Sequence, residues 1–165
     1  MSHTAYIGIG SNLESPAENC LKAVERLNTH PNLTLIARSS LYQSEPFGIT
    51  DQDWFVNSVV QLTTSLSPEE LLRACLSIEQ AMGRTRTKKW GPRIIDLDIL
   101  FYDDLILKQE GLEIPHSGIA ERSFVLAPMN EIAAEFIHPK LKKSIQTLLM
   151  EIPNPQQVNR LSSDG

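Results

Sequence analysis

The chain has 165 residues, 41% hydrophobic and 21% charged, which excludes a disordered or fibrous protein and suits a single domain. Its net charge of −5 is unevenly spread: five of the 15 Lys and Arg residues fall between Arg84 and Arg93 with no acid among them, which leaves 10 bases against 20 acids elsewhere. A coat for nucleic acid is expected to be basic throughout, whereas one cationic segment on an acidic body suits a small polyanion.

Residues 4–9 read as a short buried strand, broken by Gly10-Ser11-Asn12. Ser15-Pro16-Ala17-Glu18 opens a helix, with Ser15 as N-cap, Pro16 at the first helical position and Glu18 completing a capping box. The apolar stripe of that helix is Cys20, Leu21, Val24 and Leu27, and Pro31 stops it. Residues 33–42 predict a strand, residues 44–53 a loop holding Pro46 and Gly48, and residues 55–64 another strand. Ser67-Pro68-Glu69-Glu70 repeats the helix start, followed by a stripe at Leu71, Cys75, Ile78 and Met82 and a stop at Gly83. After the basic segment, residues 94–102 form a strand, and Asp103-Asp104 a tight turn into residues 105–107. Beyond Pro115-His116 the chain reads as helical and irregular, with a last helix over residues 144–150. One domain spans residues 1–160; fraying begins at Asn159, and residues 161–165 are a tail.

Strand, helix, strand, strand, helix, strand is the order of the ferredoxin-like plait, an α+β fold with helices packed on an antiparallel sheet. Here an extra hairpin strand and C-terminal helices are added. That topology brings the loops over residues 10–14, 43–53 and 84–93 to one edge, together with the starts of the strands carrying Phe55 and Asp96. The site is expected there. No apolar run approaches the ~20 residues of a membrane span, and the first residues lack the pattern of a signal peptide. Cys20 and Cys75 are too few for a disulfide framework. A cytoplasmic protein with no membrane or nucleic-acid partner is the expectation.

Asp96-Leu97-Asp98 is the sharpest chemical feature. Residues i and i+2 of a strand face the same way, so both carboxylates point to one side and Leu97 into the core. At ~5 Å and an effective dielectric of ~20 their repulsion is roughly 3 kcal/mol unless a cation intervenes. Two readings stand level: arginines of the basic loop neutralise them, or they hold a metal. Hard oxygen ligands without a histidine or thiol cluster favour Mg²⁺ over zinc. Gly8-Ile9-Gly10-Ser11-Asn12 has Leu13 where a phosphate loop would carry its third glycine, so a tight strand-to-helix turn is the favoured reading. The basic run is either a solvated loop or, given Trp90-Gly91-Pro92, a lid with cations for phosphates and an apolar cap. Phe55 and Asn57 share one strand face, as core packing or as a stacking platform, and Phe124 is either its second slice or core. His116, as a lone histidine, reads as structural.

The run from Lys89 to Leu100, Lys-Trp-Gly-Pro-Arg-Ile-Ile-Asp-Leu-Asp-Ile-Leu, resembles the 6-hydroxymethyl-7,8-dihydropterin pyrophosphokinases of folate biosynthesis. Support extends to Gly10-Ser11-Asn12-Leu13, residues 42–48, residues 55–57, Gly83-Arg84, Pro115-His116 and residues 122–126. The resemblance implies a plait that moves the terminal diphosphate of ATP onto the hydroxymethyl oxygen of the pterin and releases AMP. It implies that Asp96 and Asp98 hold two Mg²⁺ ions, and that Phe55 and Phe124 sandwich the pterin. Asn57 and the backbone near Ser44 and Phe47 would read the pterin edge. Arg84 and Arg93 would meet the phosphates during transfer. Glu79, Arg86, Lys88, Lys89, Trp90, Arg93, Ile99, His116 and Arg122 would line the ATP site, all within a monomer. Three positions depart from the family pattern: Phe55 where tyrosine is frequent, Ser117 where an aromatic occurs, and Glu45 before Pro46. The rival from another class is an RNA-binding plait, which needs a Lys/Arg-Gly-Phe/Tyr motif that this chain lacks. A second rival, a domain that binds ATP or pterin without turnover, sits poorly with the intact Asp96/Asp98 pair.

Overall fold

The computed structural model describes residues 2–12, 15–44, 55–83, 95–153 and 158–161. In chain order the elements are β1 (His3–Ser11), α1 (Pro16–Thr29), β2 (Leu33–Arg38), β3 (Tyr42–Ser44), β4 (Phe55–Thr64) and α2 (Pro68–Ala81). There follow β5 (Asp96–Tyr102), β6 (Leu107–Gln109), β7 (Leu112–Ile114), α3 (Ser123–Ala133), α4 (Ile145–Glu151) and β8 (Val158–Arg160). The fold is thus mixed α and β, an antiparallel sheet with four α-helices among the described residues.

Period-two alternation along β1 decides how the layers form. Ala5, Ile7 and Ile9 join a core with Cys20, Ala23, Val24 and Leu27 of α1 and Leu71, Cys75 and Ile78 of α2. Tyr6 on the other face joins Leu126 and Met129 of α3 and Ile145 and Leu148 of α4. The sheet is therefore apolar on both faces and sandwiched between two helix pairs. β1 runs antiparallel between β5 and β4, and the order is β5-β1-β4-β3-β8, with β2 also on β4. Ten-residue β4 serves two partners: its first half pairs with β3 and its second half with β2.

The capping box at α2 forms as its sequence predicts: Glu70 N–H donates to Ser67 Oγ at 3.2 Å and Ser67 N–H to Glu70 Oε1 at 2.9 Å. At α1 it does not. Ser15 sits at φ 59° and ψ 64°, and its side chain makes no cap bond. A capping hydroxyl needs an extended backbone to reach the second or third amide, and the left-handed turn into α1 removes it. Leu21 is 42% exposed while Ala23 is buried, so α1 is rotated away from the expected stripe.

The strand expected over residues 33–42 is two strands. Between them Ser39 Oγ accepts the Val59 N–H at 2.9 Å, so a side chain replaces a ladder carbonyl and the chain steps before resuming as β3. The turn after β5 forms, with Leu105 N–H donating to Tyr102 O at 3.0 Å. Residues 105–107 do not return as a strand of the main sheet, however. β6 and β7 make a separate two-stranded hairpin, reversing at Gly111 with φ +80°. Its Leu112 and Ile114 are drawn into the α1/α2 core, which is the apolar burial that detaches it from the sheet edge. The fraying expected from Asn159 is replaced by pairing as far as Leu161: β8 lies on β3, and Leu161 N–H donates to Leu41 O at 2.8 Å.

Candidate active site

The ends of three neighbouring strands meet at one sheet edge. Gly10 of β1 faces Asp96 of β5 on one side and Asn57 of β4 on the other; Gly8 likewise faces Asp98 and Val59. Directly opposed residues of antiparallel strands share a face. Asp96, Asp98, Asn57 and the two glycines therefore look the same way, and Leu97 is buried behind them. With strands ~4.8 Å apart, the Asp96 and Asn57 backbones lie about 10 Å from each other across glycine. The gap is required: a Cβ on Gly10 would stand 2.9 Å from Asn57 Oδ1.

On the amide side, Asn57 is 6% exposed and donates from Nδ2 to Ser44 Oγ at 2.8 Å. Phe55 pairs with Ser44 one step nearer the edge and is half-buried. Phe124 stands at the start of α3, partly buried against the α3/α4 core, with the Arg122 guanidinium 5.8 Å from its ring centre. Gly118, at φ +81°, leaves room for that guanidinium: a Cβ there would meet Arg122 Nε at 3.3 Å.

On the acidic side, Asp96 and Asp98 are half-buried. His116 N–H donates to Leu100 O at 3.1 Å, and this bond lays the chain after the hairpin along β5. His116 Nε2 comes to 3.9 Å from Asp98 Oδ1, while its Nδ1 is 2.6 Å from Ser117 O and donates to it. Burial, and secondly the Arg122 charge, push the His116 pKa below the usual imidazole value. The ring is neutral at neutral pH, its Nε2 carries a lone pair, and the contact with Asp98 is not an ion pair. His116 thus has a structural role and also lies within reach of Asp98 at the candidate site.

Glu79 lies behind this edge, 3% exposed, where its Oε2 accepts the Leu97 N–H at 2.7 Å. The carboxylate satisfies an amide on the outer side of β5, midway between the two aspartates. Cys75, buried one turn earlier on α2, is pushed up to about 12, first by burial and then by the Glu79 and Asp98 charges, which makes it an inert thiol.

Outside β5 a cavity of ≈ 350 Å³ opens between α2 and the β6–β7 hairpin, with Asp98, Ile99 and His116 on its wall. That volume is in the range of small-molecule pockets. Leu72, Gln109, Leu112 and Glu113 also line it. Sequence reasoning missed these four, because they become neighbours only once the hairpin folds against α2; the one local signal was the Gly111 turn. Phe47, Arg84, Arg86, Lys88, Lys89, Trp90 and Arg93 lie outside the described residues. No group of three His, Cys, Asp or Glu placed to hold a metal occurs among the described residues, and no helix among them is long and apolar enough to cross a membrane.

Residues 6–134 match the family model for 7,8-dihydro-6-hydroxymethylpterin-pyrophosphokinase. The chain is 47% identical over 133 residues to a 2-amino-4-hydroxy-6-hydroxymethyldihydropteridine pyrophosphokinase of Methylorubrum extorquens, covering 81% of this chain and 84% of the relative. It is 43% identical over 136 residues to the Haemophilus influenzae protein of the same name, covering 82% and 85%. Among solved structures, a Plasmodium falciparum HPPK-DHPS with pteroate superposes with a TM-score of 0.75 at 17% identity, over 92% of this chain and 42% of that one. That last likeness concerns the fold.

Proposed function

The chain belongs to the 7,8-dihydro-6-hydroxymethylpterin-pyrophosphokinase family, and from that membership we propose that its reaction runs on the Asp96/Asp98 edge, with ATP in the cavity beside Asp98 and the pterin between Asn57 and Phe124. The enzyme is an ATP-dependent diphosphotransferase of folate synthesis, in which the hydroxymethyl oxygen of the pterin takes the terminal diphosphate of ATP. The new bond joins that oxygen to the β-phosphorus, the bond to the α-phosphate oxygen breaks, and AMP and the hydroxyl proton leave.

The observation that carries the placement is the glycine gap. It separates an acidic wall, Asp96 and Asp98, from an amide wall, Asn57 and Ser44, on one sheet face. The donor set fits Mg²⁺, which is commonly held by one or two carboxylates plus substrate phosphates rather than by an all-protein cage. Asp96 and Asp98 would hold the two ions, which supply charge neutralisation on the phosphates when bound. The chain's own groups do the positioning. Glu79 fixes the β5 backbone between the two carboxylates. His116, neutral, offers its Nε2 lone pair at the mouth of the cavity to a nucleotide hydroxyl or N–H donor. Asn57 offers its amide to the pterin edge, and Phe55 and Phe124 offer ring faces. Ile99 and Arg122 complete the nucleotide side.

In this reading Arg84 and Arg93 meet the transferring phosphates, with Arg86, Lys88, Lys89 and Trp90 on the nucleotide, as the family resemblance implies. Phe47 joins the pterin side on the same ground. We also read the fold as a ferredoxin-like plait, supported by the β5-β1-β4 order with the β2/β3 pair beyond and α1 and α2 on one face. A monomer is supported by the assembly of both walls from one chain, and a cytoplasmic location by two free, buried cysteines.

The test is AMP release from ATP and the reduced hydroxymethylpterin with Mg²⁺, compared between the wild type and Asp98→Asn. Loss of turnover with an intact fold supports the assignment; activity that survives removes Asp98 from it.

A further inference from the structure

A side-chain network away from the reacting groups ties the helix carrying Phe124 to the strand carrying Ser44. The Glu131 carboxylate on α3 accepts the Tyr42 hydroxyl at 2.8 Å, the Ser40 hydroxyl at 3.0 Å and the Ser40 backbone N–H at 2.9 Å. Arg160 Nη2 of β8 stands 3.6 Å from its second oxygen. Tyr42 is 9% exposed. Burial first, and then the bond to Glu131, push its phenol up to about 12, so it remains a donor throughout the working pH range. Three donors on one carboxylate make a stiff joint, since charge-assisted hydrogen bonds are about twice as strong as neutral ones.

The spacing on both elements gives the joint its consequence. Phe124 and Glu131 are seven residues apart on α3, which is two turns, so they lie on one stripe roughly 10 Å apart. Tyr42 and Ser44 are two apart on β3, so they share a face about 7 Å apart. That face carries Asn57 as well, since Tyr42 pairs with it directly. Fastening Glu131 to Tyr42, which lies level with Asn57, therefore holds α3 against β3 and with it sets where Phe124, two turns back along the helix, stands relative to Asn57.

We propose that Tyr42 and Glu131 are positioning residues for the pterin: their hydrogen bond holds α3 against β3 so that Phe124 lies at stacking distance from a ring whose edge is read by Asn57. Neither residue touches substrate in this arrangement. The inference rests on the placement of the pterin proposed above. It separates the pterin side of the site from the ATP side, because β5, α2 and the hairpin take no part in the network.

The experiment is calorimetric titration of the full chain with the reduced hydroxymethylpterin, in the presence of Mg²⁺ and a saturating non-hydrolysable ATP analogue, and separately with the analogue alone. The proteins are the wild type, Tyr42→Phe, Glu131→Gln, the double variant and Phe124→Ala. Each clamp variant is expected to raise the pterin Kd about tenfold, the loss associated with one charge-assisted bond. The double variant should be no weaker than the weaker single, because both remove the same joint. The Kd of the analogue should stay within about twofold. Equal losses for both ligands, or additive losses in the double variant, overturn the proposal. Phe124→Ala tells the two levels apart. If it weakens pterin binding and the clamp variants do not, the clamp falls alone; if it too leaves pterin binding unchanged, the pterin placement falls. Should Glu131→Gln not fold, Tyr42→Phe decides on the same criterion, since it removes one oxygen and keeps the ring.

Discussion

Substituting Gly10 by alanine tests the glycine gap with a single methyl group. Gly10 does not adopt a positive φ, so the effect is steric and not a matter of backbone strain. The methyl would stand 2.9 Å from Asn57 Oδ1 and 4.0 Å from Val56 O, so the Asn57 amide has to swing away. Asn57 is 6% exposed and its Nδ2 bond to Ser44 is 2.8 Å long, which leaves the amide no equivalent place to go. Each hydrogen bond forfeited costs about 1 kcal/mol net, and up to about 3 kcal/mol where a buried partner is left unsatisfied. A loss of pterin affinity on the order of 10- to 100-fold follows, with ATP affinity held. Gly8→Ala is the control. Its methyl would meet the Leu100 Cδ2 at 3.3 Å, so the buried Leu100 has to give by a few tenths of an ångström, but the Asn57–Ser44 bond is not touched. Titration of both variants with pterin and with an ATP analogue reads the difference. Pterin affinity unchanged in Gly10→Ala, or lowered equally in Gly8→Ala, refutes the role given to the gap.

Phe124→Ala should weaken pterin binding by about 10- to 100-fold and ATP binding little, because one face of an aromatic stack is worth on the order of 1–3 kcal/mol; equal losses by calorimetry mean that Phe124 is only core. If Asp96 and Asp98 are metal ligands, Asp98→Asn should abolish transfer and leave the apo protein as stable or more so. It relieves a repulsion of at most about 3 kcal/mol, reduced by solvent since Asp98 is 41% exposed. A clear drop in apo melting temperature would instead mark a structural ion pair. The buried His138 predicts a pH dependence. Its Nδ1 accepts the Lys140 and Leu141 N–H groups at 3.2 and 3.1 Å, and burial, then Lys140, hold its pKa below the usual value. The unfolded chain then binds the proton first, so stability is full above about pH 6.5 and falls as pH drops below it. His138→Gln should flatten the melting-temperature slope below about pH 6.5, and an unchanged slope excludes His138 as its source.

Local patterns were enough wherever the cause lies within a few residues. β4 occupies residues 55–64 as its apolar, β-branched run predicts, and α2 starts at a capping box whose two partners are three residues apart. The same economy put Asp96 and Asp98 on one face and Leu97 in the core, because a strand has period two. Whatever depended on a partner far along the chain was decided by the tertiary structure. Ser15 has the residue type of a cap, but the incoming turn sets its backbone at φ 59°. Val158–Arg160 carries no strand signal of its own and becomes one only because β3 presents an open edge. The cavity beside Asp98 needs α2 and the hairpin to close on β5. Glu131 reaches Tyr42 across 89 positions of sequence. A dihedral preference or a side-chain period is a property of neighbouring residues and can be read from them. A hydrogen-bond partner, a free strand edge or a cavity wall exists only after the chain has brought distant segments together.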